Sequence, residues 1–400
     1  MMDRVVLLAS PADDRYDPAI RRGIAEPPLG LLYLAAALLR TPQCEAVKLV
    51  DAYRDPAAAD NLEETLVQFG ATQLWVSLMS TEGPRCFGSR AEEIRRRLPG
   101  VKLVAGGKYF QNAPPAALRP GWNGFDLIVR GDADLEADRI LQALGLYECA
   151  ALPPIELPYP RRELADVFDY SGSRPPHHCV IGARGCVGGC TFCAIAKRNP
   201  YRRDPANVVL EMEQLLAETG VTCYSIIDDL MPFDSGRFDR YGTALNRLPA
   251  AVQVDVSWRA DRFTSQIAAR LAASRVRIVR FGIESIDPQV QTLLGKPCPR
   301  SQILAAVRTA RDHGLSAATY FMFGFPSDTE DSAAELLDFM LELSAETKAP
   351  PYLGILRVLD GTPLHRIYGG QQPPGLPVER MLELLEGWRA RFPEFFGVQA

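Results

Sequence analysis

Apolar residues fall along the chain in two rhythms. Short runs of apolar residues recur, and between them lie longer stretches in which apolar residues return every three or four positions. The runs read as buried strands and the stretches as helices. In residues 1–145 the predicted strands are Val5–Ala9, Val47–Val50, Leu74–Leu78, Val101–Ala105 and Asp126–Val129. Pro27-Pro28-Leu29-Gly30 opens an apolar helix through Leu39, because proline is tolerated at a helix start. A charged helix is expected over Ser89–Leu98. After the strands come polar or glycine-rich residues: Asp51, Ser80-Thr81-Glu82-Gly83, Gly106-Gly107 and Arg130-Gly131-Asp132. Strands alternating with helices predict a doubly wound, Rossmann-like α/β sheet, whose ligands bind at the C-terminal strand ends.

Residues 146–175 carry Leu152-Pro153-Pro154 and Pro158-Tyr159-Pro160 and read as a linker. A second βα series spans 176–368. Its strands are expected at Cys179–Ala183, Cys223–Ile227, Gln253–Ser257, Arg277–Gly282, Ala317–Phe323 and Tyr352–Leu359. Helices at Val208–Glu218, Ser265–Ala273, Gln302–His313 and Ser332–Ser344 fall between them. Six repeats predict a partial (βα)₆ barrel, open compared with the eightfold form. The tail, 369–400, should hold one short C-terminal helix, Val378–Phe392.

Composition narrows the class. The 47% apolar and 23% charged residues suit an ordinary globular chain with two cores. A net charge of −5 without a long basic run argues against a nucleic-acid partner and favours a small-molecule substrate. No apolar stretch is long enough to span a membrane, and the N-terminus lacks a signal-peptide pattern, so a cytoplasmic location is expected. Nine cysteines, an odd number, then read as reduced thiols or metal ligands. Six are scattered and three are clustered.

The cluster reads Cys186-Val-Gly-Gly-Cys190-Thr-Phe-Cys193. Three thiolates this close can wrap one [4Fe–4S] cubane, each binding one iron, in a loop that glycines let fold tightly. Three ligands for four irons leave one iron open, and an open metal position is a reaction site. A zinc site completed by His177 or His178 is the competing reading.

The spacing C-x₃-C-x₂-C directly after the first strand of a βα barrel resembles the radical S-adenosylmethionine (SAM) superfamily. The resemblance continues through Phe192, Arg202-Arg203, Asp228-Asp229 and Trp258-Arg259-Ala260-Asp261. It runs on through Gly282-Ile283-Glu284-Ser285 with Leu294 and Lys296, then Phe323-Gly324-Phe325-Pro326-Ser327-Asp328-Thr329-Glu330, and Gly361-Thr362-Pro363-Leu364. It implies that the open iron binds SAM, and that one electron cleaves SAM to methionine and a 5′-deoxyadenosyl radical that takes a substrate hydrogen. It implies SAM contacts from Phe192 (against the adenine), Asp228, Asp229, Arg259, Glu284, Ser285 and Gly324, and an electron donor of the flavodoxin or ferredoxin type. Taken alone, Glu284 could be a helix-start charge and Asp228-Asp229 a solvated turn. By strand-end position Asp229, Glu284 and Tyr320 are the candidate catalytic acids.

Residues 1–145 resemble the cobalamin (B12)-binding domain that precedes many radical SAM barrels. The features are Pro27-Pro28-Leu29-Gly30 with Leu32-Tyr33-Leu34, Ser77 to Thr81, Gly106-Gly107 and Arg130-Gly131-Asp132 with Asp134. Cobalamin contacts are therefore expected at Ser77, Ser80, Thr81, Gly106, Gly107 and Gly131. No histidine precedes His177, so this domain has no axial histidine to offer. The implied function is cobalamin-dependent C-methylation in secondary (natural-product, antibiotic) metabolism. The alternative is a cobalamin-independent radical dehydratase or rearrangement enzyme. A non-catalytic iron–sulfur carrier is disfavoured by the full SAM-site pattern. A methylthiotransferase is disfavoured because the first domain offers only Cys44 and Cys86.

Overall fold

The computed structural model describes residues 2–9, 27–42, 44–52, 54–78, 83–112, 124–134, 140, 159–171, 176–195, 201–229, 231, 235–347, 351–359, 361–369, 371 and 375–391. The chain divides into two compact units, Met1–His178 with Leu359–Gly361, and Cys179–Val358 with Thr362–Ala400.

The first unit is built on β1 (Asp3–Ala9), β2 (Cys44–Asp51), β3 (Gln73–Ser77), β4 (Lys102–Gly106) and β5 (Leu127–Ile128). The strands are parallel and lie in the order β2-β1-β3-β4-β5. In β1, Val5, Leu7 and Ala9 pack with Leu31, Leu34 and Leu38, while Val6 and Leu8 pack with Leu62, Leu66, Phe87 and Ile94. Helices thus cover both faces, which is why the strand is an unbroken apolar run. They are α1 (Leu29–Leu39), α2 (Pro56–Asp60), α3 (Leu62–Phe69), α4 (Gly83–Arg97) and α5 (Lys108–Asn112). The strand order reverses between β1 and β3. Register places Asp51, Ala9, Ser77 and Gly106 side by side on the C-terminal edge, where such sheets open a crevice.

Part of the expected linker is packed against this unit. A 3₁₀ turn, Arg162–Leu164, leads into α6 (Val167–Ser171). Ala165 and Tyr170 pack on Leu32, and the Tyr170 hydroxyl donates to Asp51 Oδ2 at 2.6 Å. The Arg54 guanidinium lies 5.0 Å from the Tyr170 ring centre and pairs with Asp169 at 2.9 Å. Proline content suggested a crossing segment, but Leu164, Ala165, Val167 and Tyr170 supply enough apolar surface to dock. Residues 146–158 and 172–175 lie outside the described residues.

The second unit's sheet contains β6 (His178–Val180), β9 (Cys223–Ile226), β10 (Gln253–Trp258), β11 (Val276–Glu284), β12 (Ser316–Phe323) and β13 (Tyr352–Ile355), and a two-residue antiparallel ribbon joins β7 (Ala183–Arg184) to β8 (Tyr201–Arg202). The sheet order is β13-β12-β11-β10-β9-β6, so sequential strands are neighbours, as in a half-barrel. The helices are α7 (Pro205–Thr219), α8 (Ser235–Leu245), α9 (Ser265–Ala272), α10 (Pro288–Leu294), α11 (Arg300–Asp312), α12 (Glu330–Thr347), α13 (Pro363–Tyr368) and α14 (Val378–Arg391). Several starts are written in the sequence. Asp204, Asp287 and Thr362 each precede a proline at the first helical position, and each side chain accepts a backbone N–H of the first turn.

Val254, Val256, Val279, Phe281, Phe321 and Phe323 form a core with Val208, Met212, Leu271, Ile303, Leu336 and Phe339 of the helices. Alternate positions (Asp255, Ser257, Arg280, Gly282 and Tyr320) therefore face the other, concave side. Three strands of the second unit differ from expectation by two residues or more, the first being the run expected at Cys179–Ala183, which leaves the sheet after Val180. β11 runs two residues further, to Glu284, through a register shift against β12 between Gly282 and Glu284. β13 stops at Ile355 rather than Leu359.

Gly107 is fixed by close packing. Its φ is 105°, and a Cβ there would collide with the Leu78 carbonyl and lie 2.8 Å from the Leu78 nitrogen. Gly107→Ala is expected to destabilise the first unit by at least about 2 kcal/mol, read as a lower midpoint in chemical denaturation.

Candidate active site at the strand ends

Cys186, Cys190 and Cys193 stand on the segment between β7 and β8, and all three are half-buried. Cys186 Sγ accepts from Gly188 N at 3.2 Å and Cys193 Sγ from Ile195 N at 3.4 Å. N–H groups aimed at sulfur favour the thiolate and tune a bound cluster. The loop is fastened to its surroundings through Thr191. Its N–H donates to Leu294 O at 3.2 Å, its hydroxyl to Leu293 O at 2.9 Å, and its carbonyl accepts from Leu364 N at 2.9 Å. Burial pushes the Cys193 thiol up, and the nearby charges of Cys190, Cys186 and Asp229 add to the effect, while the Ile195 N–H opposes it. A bound iron would reverse that balance, since a coordinated thiol is deprotonated.

The donor set fits a cubane: three soft thiolates on one loop, with N–H groups already turned to sulfur. Among the described residues, no three His, Cys, Asp or Glu side chains converge as ligands of a single metal ion. His178 is buried in β6, and burial, with Arg162 and His177, lowers its pKa to about 4.

The two aspartates after β9 do different work from a solvated turn. Asp228 is buried, and its Oδ1 accepts from Gly182 N at 2.6 Å and Ala183 N at 2.7 Å. Burial raises its pKa to about 7, against the pull of those two N–H groups and of Arg237. Asp229 is half-buried and its Oδ2 accepts from Gly185 N at 2.8 Å. Both therefore hold the root of the cysteine loop.

Glu284 is the non-glycine residue with positive φ, 71°, among the described residues. It is not a helix-start charge, because α10 begins at Pro288 with Asp287 as its cap. Its Oε1 accepts from Lys296 Nζ at 2.8 Å, with both side chains mostly buried. A Cβ on Gly282 would sit 2.7 Å from Glu284 Oε1 and 3.0 Å from Lys296 Nζ, so glycine clears the space for this pair. Ser285 is buried; its hydroxyl accepts from Asp287 N at 3.1 Å and its carbonyl from Gln291 Nε2 at 2.9 Å. Arg259 grips Asp261 with two bonds, at 2.9 and 2.8 Å, and feels the Cys190 charge as well. Gly324 N and Phe325 N both donate to Asp328 Oδ2, at 2.7 and 2.9 Å. Phe192 packs among Val290, Leu294, Phe325, Leu356 and Leu364. Tyr320 stacks on Tyr352 with ring centres 4.7 Å apart and planes 8° apart.

Sequence reasoning did not single out the concave face below these residues. Arg280 Nη2 lies 3.1 Å from Asp255 Oδ1 and donates to Ile226 O at 3.1 Å, while Asp255 Oδ2 accepts from the Ser225 hydroxyl at 2.8 Å. The available signal was a charge in the middle of each of two apolar strand runs. In the first unit, Ser77, Gly106, Gly107 and Gly131 are half-buried, and Ser80 and Thr81 lie outside the described residues. At Gly107 the missing Cβ makes room for the Leu78 backbone.

Asp228 gives a pH prediction. Its carboxyl titrates near 3.8 when solvated and about 7 when folded, so the folded state binds the proton more tightly. Its contribution to stability is full below about pH 4 and is lost as pH rises to about 7. Asp228→Asn lacks that loss. Denaturation midpoints across pH 4–8 should show the variant gaining on the wild type up to about pH 7 and a constant difference above it.

Comparison with known proteins bears on the family and the fold. Residues 180–340 match the radical SAM superfamily. An uncharacterized methyltransferase of Pyrococcus horikoshii is 24% identical over 383 residues, covering 88% of this chain and 81% of the relative. The radical SAM methyltransferase TsrM of Kitasatospora setae, solved with cobalamin and a [4Fe–4S] cluster bound, superposes with a TM-score of 0.67 at 18% identity, over 91% of this chain and 74% of its own. The cobalamin-dependent SAM radical enzyme OxsB, solved with aqua-cobalamin and SAM bound, gives 0.67 at 14% identity, over 92% of this chain; this chain spans 60% of OxsB. The superfamily uses a [4Fe–4S] cluster and SAM. The α/β architecture with its half-barrel is thus that of the cobalamin-dependent radical SAM enzymes, and the chain is a radical SAM enzyme with methyltransferase-like relatives.

Proposed function

We propose that this enzyme is a cobalamin-dependent C-methyltransferase acting on a small molecule of secondary metabolism. One observation carries the reading: the similarity to TsrM and OxsB runs through both units and is not confined to the barrel. The relative from Pyrococcus horikoshii, also similar over most of its length, is described as a methyltransferase.

In this reading Cys186, Cys190 and Cys193 hold the cluster. When bound, the cluster supplies the electron that cleaves SAM, and cobalamin supplies the methyl carrier. The chain's own part is orientation and exclusion of water. Glu284 and Lys296 present a carboxylate and an ammonium to the amino and carboxylate groups of SAM, and Phe192 offers its ring to the adenine. Asp255, Arg280, Tyr320 and Tyr352 line the concave face, where a small substrate carrying polar groups would lie. The crevice where the first sheet reverses, edged by Ser77 and Gly106, is the place for cobalamin. A flavodoxin or ferredoxin in the cytoplasm would be the electron donor. Among the described residues no helix is long and apolar enough to cross a membrane.

The second reading is radical elimination without cobalamin. The two differ in corrinoid binding. Protein reconstituted anaerobically with iron, sulfide and hydroxocobalamin should retain about one equivalent of corrinoid after desalting. No retention would select the elimination reading. Cys190→Ala should lose the cluster absorbance near about 400 nm and bring 5′-deoxyadenosine formation to background. Undiminished SAM cleavage in that variant would refute the ligand assignment.

A further inference from the structure

The stretch Ile181–Gly185, from which the cysteine loop springs, has its polar backbone groups held by charged side chains, buried at Asp228, Arg203 and Arg237 and half-buried at Asp229. Gly182 N and Ala183 N donate to Asp228 Oδ1, and Gly185 N donates to Asp229 Oδ2. From the other side, Ile181 O accepts from Arg203 Nη1 at 2.9 Å. Gly182 O accepts from Arg203 N at 2.9 Å and from Arg237 Nη2 at 3.1 Å. Arg203 is itself paired with Glu211 at 2.7 Å, with both side chains about fully buried (3% and 2% exposed). Arg237 also donates to the Arg203 carbonyl, and its guanidinium lies 5.3 Å from the Tyr241 ring centre. A Cβ on Gly182 would collide with the Tyr241 hydroxyl, so the backbone is pressed into this lattice.

We propose that Asp228 and Asp229 are positioning residues that set the conformation of the cluster loop before a cluster is assembled, with Arg203 and Arg237 as the opposing jaw. The proposal rests on the radical SAM reading only for its final readout. Three features support it. The held groups are on the backbone, so the clamp fixes the path of the chain and leaves the thiols free. The bonds run from a neighbouring strand end (residues 228 and 229) and from a following helix (Arg237), so they tie the loop to two separate elements, the end of β9 and α8. Buried charges are costly, and apolar packing would often give equal stability; hydrogen-bonded networks instead specify one geometry. Val187, on the loop itself, is 65% exposed, so packing of that side chain does not fix the loop.

The first measurement uses cluster-free full-length protein. Amide hydrogen exchange of the peptide covering residues 179–188 is compared in wild type, Asp229→Ala and Asp229→Asn. Loss of a charge-assisted bond should speed exchange at Gly185 by about tenfold or more in Asp229→Ala. Asp229→Asn keeps an acceptor oxygen and should stay near wild type. The second measurement is the low-temperature electron paramagnetic resonance of the reduced, reconstituted proteins. Asp229→Ala should retain iron, yet its spectrum should not reproduce the change that SAM causes in the wild type. Equal exchange in all three proteins overturns the proposal. So does a wild-type SAM response in Asp229→Ala. If wild type itself shows no SAM response, the functional reading fails, while the exchange result still decides the clamp.

Discussion

Parallel strands bring all their C-terminal ends to one edge, so whatever follows those ends shares one region of space. In the second unit this constraint places the cysteine loop, Asp229, Arg259, Glu284 and Gly324 after successive strands of one sheet. The sheet can deliver these residues only if the first strand ends where it does. It ends because Gly182 N and Ala183 N turn to Asp228. A single buried carboxylate thus takes up the two N–H groups just past β6, at the entry to the β7–β8 ribbon that frames the cysteine loop.

The electrostatics around that carboxylate are high-stakes. Asp228, Arg203, Glu211 and Arg237 are all buried. Removing one partner of such a set leaves an uncompensated charge and costs about 3–5 kcal/mol, more than most single contacts contribute. The balance explains why Asp228 titrates so high: burial outweighs two N–H bonds and a guanidinium. It also separates the two neighbouring aspartates. Asp229 is half-buried, and a neighbouring charge of the same sign is itself one of the causes that raise Asp228.

The first unit's strands are legible because burial on both sides makes them continuous apolar runs, and the strands of both units lie within a few residues of their expected places. The cysteine loop was legible because spacing alone carries its chemistry. Side-chain direction was not. Asp228-Asp229 reads equally as cofactor contact or solvated turn, and the bonds both make to the Gly182–Gly185 backbone show only in three dimensions. The docking of α6 was hidden by the proline content around it, although its apolar residues were visible. At Gly107 the structure adds a reason for glycine that the sequence did not show: the Leu78 backbone fills the Cβ position. The Asp255–Arg280 pair was missed because a lone charge within a strand gives no hint of its partner on the next strand.

Glu284 shows where the sheet gives up stability for placement. A non-glycine residue at positive φ costs about 1–3 kcal/mol, and the register shift beside it gives up regular pairing with β12. The partly buried pair with Lys296 offsets some of this, since a charge-assisted bond contributes about 1.5–3 kcal/mol. A relaxed alternative was available: continuing β11 without the shift would keep the ladder and relieve φ. It would also set residue 284 opposite Met322 instead of Phe321, one residue further along β12. The following turn is held in the shifted position by Gln291, which bridges the Ser285 and Cys298 carbonyls at 2.9 and 2.6 Å and accepts from Cys298 N at 3.0 Å. Strain, bulge, cleared glycine and locked turn all serve one outcome, a carboxylate and an ammonium side by side at the strand end. The strain and the bulge are one local device, and together with the glycine and the locked turn they converge on the position of one side-chain pair, the pattern expected where placement outranks stability.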